Sequence, residues 1–115
     1  MNKIYDLEER TYLFAKDIYT VCKKIKTHYI SFEYIDQVIR ASGSIGANYI
    51  EANESLSKKD FAYRIKICRK EAKESAYWLK LLYETNENKV EKLKELFEEA
   101  VELKKIFSSI AEKSK

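Results

Sequence analysis

Apolar positions recur along this chain at alternating steps of three and four residues, the spacing that gathers side chains on one face of an α-helix. Leu7, Thr11, Phe14, Ile18, Val21 and Ile25 form one such line. Phe32, Ile35, Val38, Ile39, Ser42, Ile45 and Tyr49 form a second, and Phe61, Ile65, Cys68, Ala72, Ser75, Leu79 and Leu82 a third. The last runs through Val90, Leu93, Phe97, Ala100, Leu103, Phe107 and Ile110, with mostly Glu and Lys on its outer side. Together with the caps, this spacing predicts four helices over about 6–28, 31–53, 57–84 and 87–113. Asp6 with Glu9, and Ser57 with Asp60, read as capping boxes, whereas Asn86 or Asn88 is expected to cap the fourth helix. The short connections near Thr27–Ile30, Asn53–Leu56 and Tyr83–Asn88 favour antiparallel neighbours. The expectation is an all-α, up-and-down four-helix bundle forming one domain over residues 1–115.

Composition agrees. The chain of 115 residues is 45% hydrophobic and 36% charged, with no proline and two glycines, so it lacks the punctuation that β-hairpins need. The first residues have no continuous apolar region of the signal-peptide kind, and no stretch approaches the ~18 apolar residues of a membrane span. A cytoplasmic protein without membrane contact is expected. Cys22 and Cys68 belong to no CxxC pair and are expected to be buried, reduced thiols.

Both glycines, Gly43 and Gly46, fall within the second helix, in the small-residue run Ala41-Ser42-Gly43-Ser44-Ile45-Gly46-Ala47. An interior glycine costs roughly 1 kcal/mol relative to alanine, so a compensating close approach is expected. Another helix of the bundle could make it, as could a second subunit or a ligand.

Recognisable catalytic chemistry is missing. A di-iron bundle needs a Glu-x-x-His pair on each of two helices. The only histidine, His28, has no glutamate three positions ahead of it, and a favourable interaction with the end of the first helix is its simpler role. No phosphate loop, dinucleotide fingerprint or zincin motif occurs, and nucleophilic use of Cys22, Cys68 or a serine would need a histidine or equivalent base at hydrogen-bond range. Only Glu51, Glu54, Glu71 and Glu74 could share a Mg²⁺. The expectation is no catalytic residue, metal or cofactor, and no enzyme activity.

Charge singles out the third helix. Residues 58–83 hold eight Lys+Arg against three Asp+Glu, while the flanking segments, 1–57 and 84–115, each hold seven against eight. The whole excess of +3 arises in that one segment. Tyr63, Lys66, Lys70, Lys73, Tyr77 and Lys80 follow at helical steps away from the apolar line, with Arg69 beside them. Ammonium groups neutralise phosphates and tyrosine rings stack on unpaired bases, so this stripe is a candidate nucleic-acid face. The alternative pairs its lysines with Glu91, Glu95, Glu98 and Glu102 of the fourth helix, or leaves them solvated. On the first helix, Tyr5, Tyr12 and Tyr19 recur every seven residues beside the core line. They are candidates for an oligomer contact, with Gly43 and Gly46, or else boundary tyrosines of a monomer.

The order Gln37, Arg40, Ala41, then Ser44, Ile45, Asn48 and Glu51, then Ser57-Lys58-Lys59-Asp60-Phe61, then Glu71, Glu74, Trp78 and Leu79 resembles the signature of the ribosomal RNA intervening-sequence protein family. Those four-helix bundle proteins were first noticed as reading frames within bacterial large-subunit ribosomal RNA genes. This chain departs from the pattern at Tyr49-Ile50 and at Ala52, which stands in place of a glycine. If that glycine serves a left-handed cap, Asn53 is the residue best able to take over. The resemblance implies a left-handed bundle, assembly into ring-like homopentamers, and no enzymatic role. A more distant likeness is to the accessory variability proteins of diversity-generating retroelements, positively charged pentamers that bind nucleic acid and a reverse transcriptase. The motif residues are Arg40, Ser44, Asn48, Glu51, Glu71 and Glu74. Of these, Arg40, Asn48 and Glu51 on the second helix, with Glu71 and Glu74 on the third, are the ones apolar packing explains least. They are expected to form an interhelical network, in which Arg40 is either buried against Glu71 or Glu74 or exposed to a ligand.

Two functional readings follow. One is a ring-forming accessory protein that binds RNA, or less readily DNA, through the third helix. The other is an oligomeric scaffold that binds a protein partner and touches no nucleic acid.

Overall fold

Each apolar line of the sequence becomes the inner face of one helix. The computed structural model describes residues 6–25, 31–86 and 89–115, which form α1 (Leu7–Ile25), α2 (Phe32–Asn53), α3 (Lys58–Thr85) and α4 (Glu91–Lys113). Among the described residues there is no strand. Helices α2 and α3 pack along their length, as do α3 and α4. Helix α1 joins α2 over a shorter stretch and meets α4 least of all. Chain neighbours are therefore spatial neighbours, the arrangement of an up-and-down bundle with short connections.

Phe14, Ile18, Ile45, Ile65, Leu79, Leu93 and Phe107 are fully buried between the four helices. Each such side chain contributes about 1.5–3 kcal/mol by leaving water. Tyr49 meets Phe107 edge-on, with ring centroids 5.6 Å apart, and so joins α2 to α4 across the core. Cys22 and Cys68 are free and buried. Burial pushes their thiols up to about 11 and about 12, which keeps both protonated and unreactive near neutral pH.

Of each expected capping box, the bond to the capping side chain is present. The Asp60 amide donates to Ser57 Oγ at 3.0 Å, and the Glu9 amide donates to Asp6 Oδ1 at 3.3 Å. The fourth helix differs. It starts at Glu91 after Val90, which offers no capping side chain, and Asn86 instead follows the end of α3. Asn88 lies outside the described residues, as do Tyr5, His28, most of the first connection and the expected extension of α1 beyond Ile25. Asn53 does not adopt a left-handed cap, for no described residue has positive φ. It is the last residue of α2, and its amide donates to Glu8 Oε2 at 2.8 Å, tying that end to α1. Phe32 and Ile39, expected inside, are exposed. Their line on α2 drifts past the core toward solvent, while Ala41 and Ala52 take inward positions.

The glycines divide. A β-carbon on Gly46 would meet Thr11 Oγ1 at 3.1 Å, so α1 and α2 approach closely at this point. Thr11 is fully buried, and its hydroxyl is satisfied by the carbonyls of Leu7 and Glu8 on its own helix, at 2.9 and 3.0 Å. It needs nothing polar from α2. Around Gly43 a β-carbon would meet nothing within 4 Å, so no close approach in the bundle accounts for that glycine. Gly43→Ala is therefore expected to stabilise the isolated chain by about 0.5–1 kcal/mol through helix propensity alone. Gly46→Ala should gain less, or lose, because Thr11 must yield. Urea unfolding of both variants at low protein concentration checks the order.

Candidate functional site

Helix α3 is positioned by polar contacts to α2 as well as by its apolar line. Arg64 donates to Asn48 Oδ1 at 3.0 Å, and the Asn48 amide donates in turn to Ser44 Oγ and to the Ser44 carbonyl, both at 2.9 Å. The Ser44 hydroxyl lies near enough to the Glu71 carboxylate to favour its charged form. One turn inward, the Cys68 thiol donates to the Ile45 carbonyl at 3.4 Å. Hydrogen bonds thus run from a cation on α3 through two side chains of α2, the second of which stands beside a carboxylate back on α3. Partial burial and the nearby Glu74 raise the Glu71 pKa, while Lys70 and Ser44 act the other way.

This network corrects the expectation for the signature residues. Ser44, Asn48 and Glu71 meet, with Glu74 close enough to act on Glu71. Arg40 takes no part. Its side chain is 74% exposed and bonds Asp36 on its own helix at 3.0 Å. Glu51 is exposed. The cation that sequence reasoning missed is Arg64. It shares a face of α3 with Cys68 and Glu71 at steps of four and three, which was the available signal.

With α3 held in this register, its opposite face turns outward. Tyr63, Lys66, Lys70, Lys73, Tyr77 and Lys80 are all exposed. The span from Lys66 to Lys80 is about 21 Å along the helix. No ion pair among the described residues engages these lysines. Of the α4 carboxylates considered as partners, Glu95 pairs with Lys92 and Glu102 with Lys105 on the same helix, at 3.8 and 3.9 Å, and no described ion pair joins Glu91 or Glu98 to the stripe. Tyr77 leans edge-on against Trp78, 5.0 Å between centroids, and Trp78 packs on Tyr34 of α2 at 5.7 Å. The Tyr77 ring is thereby steadied while remaining 61% exposed. Arg69 is half-buried, in line with buried Ala76, and stands at the flank of the stripe.

The described candidates for oligomer contact fall on a different side. Glu8, which receives the bond from Asn53 of α2, begins a line on α1 that continues through Tyr12 and Tyr19. On α2, Ile39, Gly43, Gly46 and Ile50 share one line, and Gly46 faces Thr11 of α1. The exposed Tyr12, Tyr19, Phe32, Ile39 and Ile50 therefore flank the α1–α2 seam. Gly43 is exposed among them, while the tight approach of Gly46 is made within the chain.

No group of histidine, cysteine or carboxylate side chains among the described residues is arranged to hold a metal ion. No helix of the described residues is long and apolar enough to cross a membrane.

A family model described as 23S rRNA-intervening sequence protein matches residues 4–109. The chain is similar to the crystal structure of a protein of unknown function from the S23 ribosomal protein family of Bacteroides thetaiotaomicron. The two share 31% identity, with 96% of this chain and 99% of that one covered and a TM-score of 0.84. Nothing among curated proteins matches.

Two measurements check the network. Asn48→Ala leaves Arg64 without its partner on α2 and is expected to cost about 1–3 kcal/mol, whereas Arg40→Ala breaks only an exposed helix pair and should cost below about 0.5 kcal/mol. Glu71, with its pKa raised on folding, holds its proton more tightly in the folded state. Ionised Glu71 therefore lowers stability above the folded pKa, and that loss is relieved as pH falls through it. Glu71→Gln should accordingly unfold at higher urea than the parent near neutral pH, and the margin should shrink toward pH 4.5, the ordinary value for glutamate.

Proposed function

From the premise that the chain belongs to the 23S rRNA-intervening sequence protein family, we propose that it is a non-enzymatic, ring-forming accessory protein that binds RNA through the outer face of α3. The carrying observation is the exposed stripe of Lys66, Lys70, Lys73 and Lys80 between Tyr63 and Tyr77, which no ion pair of the described residues neutralises. Lysines spaced along a rigid helix can neutralise successive phosphates, and the flanking rings offer stacking surfaces to unpaired bases. The name of the matched family points to an RNA context and so favours RNA over DNA. The setting is the cytoplasm.

Assembly strengthens this reading. The apolar flank formed by Tyr12, Tyr19, Phe32, Ile39 and Ile50 around open Gly43 suits burial against another copy. A heterologous contact repeated around a closed ring, five copies in the expected form, multiplies the α3 stripes offered to one RNA. The same flank is what favours the second reading, a scaffold for a protein partner with no nucleic-acid contact.

Fluorescence anisotropy with short single-stranded and hairpin RNAs tests the proposal. If the four stripe lysines each neutralise a phosphate, affinity should fall about 50-fold between roughly 50 and 200 mM salt, at a slope of about −0.7 per contact. Lys66→Glu with Lys73→Glu should abolish binding, and Tyr77→Ala should weaken it without changing the slope. Binding indifferent to the charge reversals, or none at the lower salt, leaves the scaffold reading in front. Light scattering should show a ring that Tyr12→Lys weakens, and a single monomeric mass at tens of micromolar would remove the ring.

A further inference from the structure

Helices α1 and α4 close the bundle least tightly, and a groove of about 640 Å³ runs between them. Its floor is apolar: Leu13 and Phe14 from α1, and Leu96 from α4. Phe14 and Leu96 are otherwise buried in the core, whereas Leu13 is 42% exposed, although helices usually turn leucine inward. The rim is acidic. Asp6, Glu9, Asp17, Glu95 and Glu99 stand against two cations, Arg10 and Lys92.

Both cations are already engaged. Arg10 makes two parallel bonds to Glu99, at 2.7 and 2.9 Å, and Lys92 lies 3.8 Å from Glu95. No described cation pairs with Asp6, Glu9 or Asp17. Asp17 is half-buried and has neither a hydrogen-bond nor an ion-pair partner among the described residues. An incoming cation would give that carboxylate a partner.

We propose that the α1–α4 groove is a docking site for a basic amphipathic helix of a partner protein. A leucine-like side chain would lie over Leu13, the exposed apolar residue of the groove, where it is backed by Phe14 and Leu96, and lysines or arginines at helical spacing on either side would reach the unpaired carboxylates. The distance from Asp6 to Asp17 along α1 is about 17 Å, three turns of such a helix. The groove is open to solvent along its length, which suits side chains laid across it rather than an enclosed small molecule. Phosphate-bearing partners are disfavoured because the rim repels them. The site is independent of the RNA reading, since it uses none of the α3 stripe.

The probe is a fluorescein-labelled amphipathic Lys/Leu peptide of about four helical turns, with a Glu/Leu peptide of the same apolar pattern as its counterpart. The Lys/Leu peptide should bind and shift amide resonances of α1 and α4. Glu9→Lys with Asp17→Lys should weaken it by about 30-fold or more, and Leu13→Asp by about 10-fold. These side chains lie at the surface or rim, and circular dichroism verifies that the variants remain helical. Lys66→Glu with Lys73→Glu, which tests the RNA reading, should leave peptide affinity unchanged. Equal binding of the Glu/Leu peptide, no binding of the Lys/Leu peptide at on the order of 0.1 mM, or resonance shifts confined to α3 would overturn the proposal. So would light scattering in which Leu13→Asp dissolves an oligomer, for the groove would then be covered by a second copy.

Discussion

The register of α3 against α2 is the constraint from which the surface chemistry follows. Arg64 and Cys68 bond α2, at Asn48 and at the Ile45 carbonyl, and Glu71 lies beside Ser44. A helix rotated by one residue turns about 100°, which would carry lysines of the outer stripe toward the core and break both bonds. Apolar packing alone is a weaker guide to rotation, because Ile65, Ala72, Ser75 and Leu79 form a broad inner face that tolerates some drift. Directional hydrogen bonds narrow that freedom. The position of the basic face is thus set from the opposite side of the helix.

The bundle consequently carries three surfaces of different chemistry. The α1–α2 flank is aromatic and aliphatic, the outer face of α3 is basic, and the α1–α4 groove is acidic around an apolar floor. Each depends on which pair of helices meets tightly. Gly46 draws α2 onto Thr11, so their outer residues form one continuous flank. Between α1 and α4 no such small residue acts, and the salt bridge from Arg10 to Glu99 spans the gap in place of apolar contact. A partly buried bidentate pair of this kind fixes separation and orientation, but it does not fill the space beneath.

Periodicity by itself makes the core legible. The lines beginning at Leu7 and Phe61 are inward throughout their described length, with only Phe61 partly covered, because a three-and-four repeat has one helical solution. The stripe on α3 is legible for the same reason. Partners are not. The signature points to Arg40, and although the face that Arg64 shares with Cys68 and Glu71 marks it as turned inward, naming its partner requires the relative rotation of two helices. Arg40 instead finds Asp36 one turn back, a local pairing that competes with any long-range one. Asn53 shows the same limit: its distance from Glu8 in sequence hides a contact that decides how α2 ends. Val90 misleads for another reason, since α4 begins without a capping side chain and the nearest asparagines suggest a start that the helix does not use. Glycine spacing cannot separate Gly43 from Gly46, although only one of them faces a neighbouring helix of the chain.

Neighbouring charge decides how far the α3 stripe can reach. Helix α4 lies beside α3 and carries Glu91, Glu98 and Glu102 on its exposed side. Packed helices sit about 8–10 Å apart, close to the Debye length at physiological ionic strength. At lower salt the carboxylates of α4 therefore oppose the pull of the stripe on a phosphate, and physiological salt weakens that opposition without removing it. The attraction is confined to a strip one helix wide rather than spread over the molecule. Such a strip can follow a single strand or one edge of a folded RNA, and it gains strength chiefly by repetition, which is the physical reason that assembly and nucleic-acid binding belong to the same reading of this bundle.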